Sequence, residues 1–285
     1  MSESSLISNS PFAMPPVSWG ASWPTLQVYA QVLGKVRRAL APRQKHWSHV
    51  SLRVSTTGLT TSPMPHPPFL VELALDLVAH EWVYQSSKGT AERRPLGGQS
   101  PAAFLAEVTA VLGRDGLHPE IDPAPFHDER VGVYDQAAVG EFAAVLRQIY
   151  MLMSQFKGEL RGETSPIQMW PHHFDLAMLA FSGRLVEGQD PANEEYADEQ
   201  MNFGFAPADA SIPEPYFYIT AYPFQPQLME TPLPTAAYWH TAGFTGAILP
   251  YAALTTAEAP DQLLLGFWRT VYGAWEKIVK SESKR

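Results

Sequence analysis

The stretch that decides the fold is "IQMWPHHFDLAMLAF", residues 167–181. It contains two apolar runs separated by Pro171, which cannot donate a hydrogen bond to a sheet ladder. We therefore predict two β-strands, broken or bent at the proline. Alternate residues of a strand share a face, so His173 and Asp175 point one way and His172 the other. The second run is apolar on both faces, which predicts a strand that is covered on both sides.

Helix and strand patterns continue in both directions from this stretch. Apolar residues at three-four spacing predict α-helices near residues 24–40, 101–113, 139–160 and 255–278. Alternating or β-branched runs predict strands at residues 49–55, 69–87, 216–222, 236–240 and 246–251, with residues 69–87 as one long strand or two. Residues 187–213 are predicted to form a polar loop.

The order of these elements is helix, strands, helix, and then the same again. It predicts an α+β fold, in which helices pack on antiparallel sheets in two similar helix-plus-sheet halves. Residues 1–22, rich in serine and proline, are predicted to be a flexible arm. Residues 23–285 are expected to form one globular domain, with halves at 23–125 and 130–285.

Composition excludes several classes of function. The formal net charge of -9 argues against nucleic-acid binding, which needs a basic surface. The absence of cysteine excludes disulfides, thiolate nucleophiles and iron–sulfur clusters. We find no secretory signal, no long apolar run and no GxGxxG, P-loop or GxSxG motif. The expectation is a cytoplasmic protein with no membrane segment.

The paired histidines suggest a metal site. His173-x-Asp175 supplies two ligands of a 2-His-1-carboxylate triad, with His172 beside them. His240 or a histidine of "HWSH" would be the third ligand, and Fe, Zn or Mn the divalent metal. The alternative is a hydrogen-bonded structural cluster, because a buried carboxylate such as Asp175 needs a cation, a metal or hydrogen-bond donors.

"HWSH" is the second group of candidates. If the strand pattern begins there, His46 faces inward and His49 outward. Both are candidate catalytic residues. The alternative for His46 is a hydrogen-bonded core histidine, which its inward position favours.

"PEPYFYITAY" predicts a strand with one aromatic polar face. Glu214, Tyr216, Tyr218, Thr220 and Tyr222 share that face. Binding pockets combine aromatic surface with a few placed polar groups, so this face is a candidate pocket wall. The alternative is a solvent-exposed outer face.

"NEEYADEQMNFGF" concentrates acidic side chains in the predicted polar loop. The sequence favours a solvated loop for Glu194, Glu195, Asp198 and Glu199. If the loop folds over a sheet, Asp198 or Glu199 supplies a general base or a metal carboxylate. Arg184 is a candidate partner for one of these carboxylates, or for an anionic substrate.

Several long motifs resemble one bacterial family. "WPTLQVYAQVLGKVRRALAP", "HWSHVSLRVSTTGLTTSPMP", "SPIQMWPHHFDLAMLAFSGR" and "IPEPYFYITAYP" are similar to the domain of unknown function 5996. The resemblance extends from about Trp23 to the C-terminal helix. It implies no particular activity.

The resemblance ranks the candidate residues. Matches to the family pattern are Phe174, Asp175, Arg184, His46, His49, Thr60, Thr61, Glu214 and Tyr222. His173 stands where the family often has serine, so a metal at His173 would be peculiar to this chain. Asp198 stands where the family often has histidine, next to the retained Glu199.

Together these features predict an enzyme with a His/carboxylate pocket that acts on a small-molecule substrate. Its working group is either a divalent metal that activates water or oxygen, or a buried acid–base pair. The candidate catalytic residues are Asp175, His46, His49, Glu214 and Glu199, and the candidate metal ligands are His173, Asp175 and His172. The candidate substrate-binding residues are Tyr222, Tyr218, Arg184, Trp170 and Thr61. The alternative is a non-catalytic small-molecule-binding protein with an aromatic pocket. The many Trp and Tyr residues also suggest a homo-oligomer.

Overall fold

The computed structural model of the chain describes residues 12, 14–193, 195–209 and 211–282. Within these residues the chain forms five α-helices and two antiparallel β-sheets, so the predicted α+β class is confirmed. The helices are α1 (Trp23–Leu40), α2 (Pro101–Arg114), α3 (Gln136–Glu159), α4 (Tyr251–Thr255) and α5 (Pro260–Glu282). No helix in this described part is long and apolar enough to cross a membrane.

Side-chain caps explain where two of the helices begin. Ser100 and Asp135 accept hydrogen bonds from backbone N–H groups in the first turns of α2 and α3. The prediction of a helix start at Thr255 is wrong, because α4 ends at that residue. The last helix begins instead at Pro260, whose fixed φ angle suits a first helical position.

The first sheet lies within residues 53–95. Its strands are β1 (Arg53–Val54), β2 (Gly58–Thr60), β3 (Met64–His66), β4 (Phe69–Asp76), β5 (Glu81–Ser86) and β6 (Ala91–Pro95). The order is β1-β2-β4-β5-β6, and β3 also pairs with β4. The run at residues 69–87 is therefore two strands joined by a turn. Helices α1 and α2 cover this sheet, where Tyr29 and Phe104 have ring centroids 4.2 Å apart.

The second sheet lies within residues 168–250. Its strands are β7 (Gln168–Trp170), β8 (Asp175–Leu185), β9 (Asp198–Ala206), β10 (Tyr216–Tyr222), β11 (Tyr238–His240) and β12 (Gly246–Pro250). The order is β11-β12-β10-β9-β8-β7. We call the side that faces α3 and α5 the inner face. There Phe156 of α3 lies 5.0 Å from Phe203 of β9 and 5.5 Å from Trp268 of α5, between ring centroids.

The two sheets are joined where the start of β1 meets β7. Leu52, just before β1, exchanges two backbone hydrogen bonds of 2.8 and 2.9 Å with Met169 of β7. Beside it, the amide oxygen of Gln168 accepts hydrogen bonds from Ser51 and Arg53. One hydrophobic cluster contains buried residues from both sheets and from all five helices.

The N-terminal segment joins this cluster where the structure describes it. Trp19, near the end of the predicted arm, is fully buried. Its ring lies 5.7 Å from those of Phe142 and Tyr251. Residues 1–11 and 13 of the predicted arm lie outside the described residues.

The predicted strand at residues 49–55 is largely wrong. Only Arg53 and Val54 form a strand, and Lys45–Trp47 form a short 3-10 turn. His46 and Trp47 have φ angles of +52° and +55°, which no strand contains. The inward and outward assignments of the two "HWSH" histidines, which assumed strand alternation, therefore fail.

The predicted polar loop at residues 187–213 is also wrong in its middle. Residues 198–206 form β9, which pairs with β8 on one side and β10 on the other. Met201, Phe203 and Phe205 are buried at alternate positions. That alternation is a strand signal, and the surrounding acidic residues obscured it.

Candidate functional site

The outer face of the second sheet, opposite α3 and α5, carries a groove made of two adjoining cavities. The smaller cavity has a volume of about 270 Å³ and the larger about 500 Å³. His173, Asp175 and Tyr218 line both. The other walls of the smaller cavity include Asp209, Tyr216, Thr220 and Phe244, and those of the larger include His46, Trp47, Trp170, Gln200 and Asn202.

A tight turn delivers Asp175 to this groove. Residues 171–174 connect β7 to β8, and the backbone N–H of Phe174 donates to the carbonyl of Trp170 at 2.7 Å. Phe174 has a φ angle of +58°, in the left-handed region that non-glycine residues rarely occupy. Its buried ring stacks on Phe142 of α3, with centroids 5.6 Å apart. This anchor on the inner side holds the turn so that the next residue, Asp175, lies on the outer side.

Tyr218 reaches Asp175 by lying across a glycine. The Tyr218 hydroxyl donates to Oδ2 of Asp175 at 2.5 Å, although β9 separates their strands. Gly204 of β9 pairs directly with Tyr218. A Cβ atom at Gly204 would lie 2.1 Å from Cζ of the Tyr218 ring. Only glycine therefore leaves room for the ring to cross β9 and meet the carboxyl.

The environment of Asp175 favours its neutral form. Burial raises the pKa of Asp175, and the hydrogen bond from Tyr218 only partly opposes this. Its other oxygen, Oδ1, is buried and has no hydrogen-bond partner among the described residues. Burial and the neighbouring carboxyl also raise the pKa of Tyr218 well above its ordinary value, so the phenol remains a donor.

A second carboxyl–tyrosine pair lines the smaller cavity. The Tyr216 hydroxyl donates to Asp209, which also accepts hydrogen bonds from two backbone N–H groups. Partial burial raises the pKa of Asp209, but these hydrogen bonds outweigh burial and leave the pKa below its ordinary value. The smaller cavity therefore has two carboxyl groups whose environments shift their pKa values in opposite directions.

Two amide side chains on β9 complete the wall of the larger cavity. The oxygens of Gln200 and Asn202 are buried and lack hydrogen-bond partners within the described part of the chain. The Gln200 amide nitrogen donates to the carbonyl of Glu195 at 3.0 Å, which fixes its orientation. Both residues were missed as site residues because their strand was predicted to be a loop.

His46 is the "HWSH" histidine that reaches the groove. Its ring stacks on Phe181 with centroids 4.5 Å apart, and its Nε2 lies 3.5 Å from Oδ2 of Asp198. It lines the larger cavity together with Trp47. The left-handed backbone at His46 turns the ring toward β8 and β9, which strand geometry would not do.

His49 and Thr61 lie away from the groove. The buried His49 ring accepts a hydrogen bond at Nδ1 from the backbone N–H of Gln44 at 3.2 Å and stacks on Trp47. The buried Thr61 hydroxyl exchanges hydrogen bonds with the backbone of Leu73 in the first sheet. Neither lines either cavity. Their contacts are those of structural residues.

Glu199 and Arg184 lie on the inner face of the second sheet. Arg184 donates to the two carboxylate oxygens of Glu199 at 2.8 and 2.7 Å, and the Gln225 amide donates at 3.1 Å. Glu199 alternates with Gln200 along β9, so the groove and this ion pair lie on opposite faces. The prediction that Arg184 pairs with an acidic residue of this segment is met by Glu199. Glu194 lies outside the described residues.

The remaining predicted pocket residues differ in whether they lie at the groove. Glu214 is exposed, precedes β10 and lines neither cavity. Tyr222 lies on the groove side of β10, where its hydroxyl accepts from the Gln189 amide at 3.2 Å. Trp170, a predicted substrate-binding residue, is half-buried at the end of β7 and lines the larger cavity.

The predicted metal triad is not assembled. His172 and His173 lie in the exposed turn before β8, with ring centroids 4.6 Å apart, so the predicted strand alternation does not separate them. His240 bonds to the carbonyl of Ala242 at 2.7 Å, on β11 at the far edge of the sheet. Among the described residues, no three His, Asp or Glu side chains are grouped to hold a metal ion.

These features define an α+β protein with a polar and aromatic groove on the outer face of its second antiparallel sheet. Comparison with protein families matches residues 12–284, nearly the whole chain, to the family of unknown function DUF5996. The chain belongs to this family. No curated protein and no solved structure matches it.

Proposed function

We propose that the chain is an enzyme that binds a small polar molecule in the outer groove and transfers a proton through Asp175. The observation that supports this most is the state of the Asp175 carboxyl. It is buried, holds one hydrogen bond from Tyr218, and stands at the wall shared by two cavities. An incompletely hydrogen-bonded buried carboxyl costs stability, and such groups concentrate at functional sites.

The second carboxyl supports an assignment of roles. Asp175 is the proton donor, because burial raises its pKa and so favours its protonated form. Asp209, whose pKa is lowered, is the ionised partner that accepts a proton or stabilises positive charge. Two carboxyl groups with oppositely shifted pKa values in one cavity are a recurrent arrangement for acid–base catalysis. Tyr218 is a positioning residue that holds Asp175.

The larger cavity supplies the binding surface. Its aromatic walls and the amides of Gln200 and Asn202 match a small molecule with hydroxyl or amine groups beside apolar carbon. His46, held by Asp198 and Phe181, is placed as a further polar contact.

A metabolite-depletion experiment tests this proposal. Wild-type protein, Asp175→Asn and Asp209→Asn are incubated with a bacterial small-molecule extract, and mass spectrometry follows both turnover and retained compounds. We expect one compound to be consumed by the wild type, and retained unchanged by Asp175→Asn. Glu214→Gln, which removes an exposed carboxylate outside the groove, is the matched control and should behave as the wild type.

Two results would overturn the proposal in different ways. If wild type and Asp175→Asn retain the same compound and neither consumes it, the protein is a binding protein, the alternative that the aromatic wall supports. If the compound is consumed equally by Asp175→Asn, the carboxyl is not the proton donor. Near-UV circular dichroism of each variant confirms that the comparison is made between folded proteins.

A further inference from the structure

A third cavity adjoins the groove at Trp170 and His172. Its volume is about 370 Å³, and it lies between α1, the turn before β8 and the segment around Pro125. The floor is apolar: Phe126 is 2% exposed, and Gly34 and Pro171 are buried. A Cβ atom at Gly34 would lie 2.8 Å from Cγ of Pro171, so glycine allows α1 to approach the turn closely.

Two cations of α1 stand at the rim of this cavity. Lys35 and Arg38 are three residues apart and therefore share a face of the helix. The Arg38 guanidinium lies 5.8 Å from the ring centroid of Trp47, which helps to hold it in place. Of the residues that the structure describes, no carboxylate lines the cavity.

Among the described residues, no ion pair neutralises the positive charges at the rim. Glu120 and Asp122 line a neighbouring depression that Lys35 and Arg38 also border. Within the described residues, neither carboxylate forms an ion pair with either cation. A local positive rim over an apolar floor stands out in a chain of net charge -9.

We propose that this cavity binds a small amphipathic anion: an apolar or aromatic body that carries one carboxylate, sulfonate or phosphate group. The body occupies the floor formed by Phe126, Pro171 and Trp170, and the anionic group contacts Lys35 and Arg38. This site shares the wall residues Trp170 and His172 with the Asp175 groove, but it does not depend on the function proposed for that groove.

The test uses two fluorescent probes that differ in charge. 8-Anilinonaphthalene-1-sulfonate carries the anion, and N-phenyl-1-naphthylamine has the same rings without it. We expect the wild type to bind the sulfonate more tightly. The Lys35→Gln/Arg38→Gln double variant should bind the sulfonate about tenfold more weakly and leave the affinity for the neutral probe unchanged. Added salt should weaken sulfonate binding to the wild type only.

Two further variants keep the test decisive. Arg114→Gln/Lys280→Gln removes the same amount of charge elsewhere and should bind both probes as the wild type does. Gln31→Trp places a large ring at the cavity wall and should block both probes. Equal sulfonate affinity in the wild type and the Lys35/Arg38 double variant would overturn the proposal. So would undiminished sulfonate binding by Gln31→Trp, since the probe would then lie elsewhere.

Discussion

Asp175 and Glu199 are buried carboxyl groups on opposite faces of the same sheet, and their surroundings differ. Glu199 receives two hydrogen bonds from Arg184 and one from Gln225. Asp175 receives one, from a neutral tyrosine, and one of its oxygens has no partner among the described residues. A buried carboxylate that is fully hydrogen-bonded and paired with a cation, as Glu199 is, has a structural role. The incompletely hydrogen-bonded carboxyl of Asp175 lines two cavities, where a ligand can supply the missing hydrogen bond.

The largest loss of stability is expected when the fully hydrogen-bonded Glu199 loses its cation. Arg184→Met leaves Glu199 buried without its cation, so the free energy of unfolding should fall by about 2 kcal/mol, allowing for the partial exposure of Arg184. Denaturant unfolding measures it. Arg130→Met, which removes a cation from an exposed ion pair, should change stability far less. Equal losses in the two variants would contradict the structural role of Glu199.

Gly204→Ala tests the contact between the Tyr218 hydroxyl and the carboxyl of Asp175. The new methyl group overlaps the Tyr218 ring, so the ring must leave Asp175, and stability should fall by about 1–2 kcal/mol. The near-ultraviolet tyrosine signal should change as well. Gly140→Ala in α3, where nothing lies within 4 Å of the new carbon, should instead raise stability slightly. An unperturbed Tyr218 in Gly204→Ala would refute the crossing geometry.

Tyr218→Phe keeps the ring over Gly204 and removes only the hydroxyl. The loss of one buried hydrogen bond should cost about 1 kcal/mol in unfolding free energy. Because that bond lowers the pKa of Asp175, its removal should raise this pKa further. Infrared spectroscopy of the protonated carboxyl, with Asp175→Asn as the reference, measures the shift. A lowered pKa would mean that the hydroxyl does not stabilise the ionised carboxylate.

The smallest change in the free energy of unfolding is expected for Asp175→Asn at acid pH. This difference from the wild type should grow as the pH rises. Burial raises the pKa of Asp175, so the folded chain holds this proton more tightly than the unfolded chain. The stabilisation from this group is complete below the unfolded pKa and is lost as the pH rises through the folded pKa. Asparagine does not titrate, so the variant should gain stability relative to the wild type across that window.

Denaturant unfolding at several pH values between about 2 and 8, a range that extends to both sides of the ordinary Asp pKa, measures this difference. Asp209→Asn is the matched control, because the pKa of Asp209 is lowered. The stability that Asp209 contributes is present above the unfolded pKa and is lost as the pH falls through the folded pKa. The two variants should therefore differ from the wild type with opposite pH trends. A pH-independent difference for Asp175→Asn would show that its carboxyl is not perturbed.

The helices and strands that were predicted correctly are those in which apolar residues recur at a clear helical or strand spacing. Helix α3 has an unbroken apolar stripe, and β10 alternates phenols with apolar residues. The turn before β8 was located by Pro171. In β9, the alternation of Met201, Phe203 and Phe205 was present but was outweighed by the neighbouring acidic residues.

The site was less accessible to sequence reasoning, because its contacts depend on register and on unusual backbone angles. Asp175 was predicted to need a partner, but a cation, a metal and hydrogen-bond donors were the alternatives. The partner, Tyr218, lies two strands away and reaches Asp175 only because Gly204 faces it. The positive φ angle of His46 has no local signal in a non-glycine residue, so its approach to β9 could not be predicted.

Contacts between α1 and the turn before β8 limit how this chain can be divided into fragments. The Gln27 amide donates to the carbonyl of His172 at 2.7 Å, and Gly34 packs against Pro171. The turn that positions Asp175 is thus braced by the opposite half of the chain. A fragment starting at residue 130 would keep every groove residue of the second sheet and yet lose this brace. Grafting the site onto another scaffold would therefore require α1 to be transferred with it.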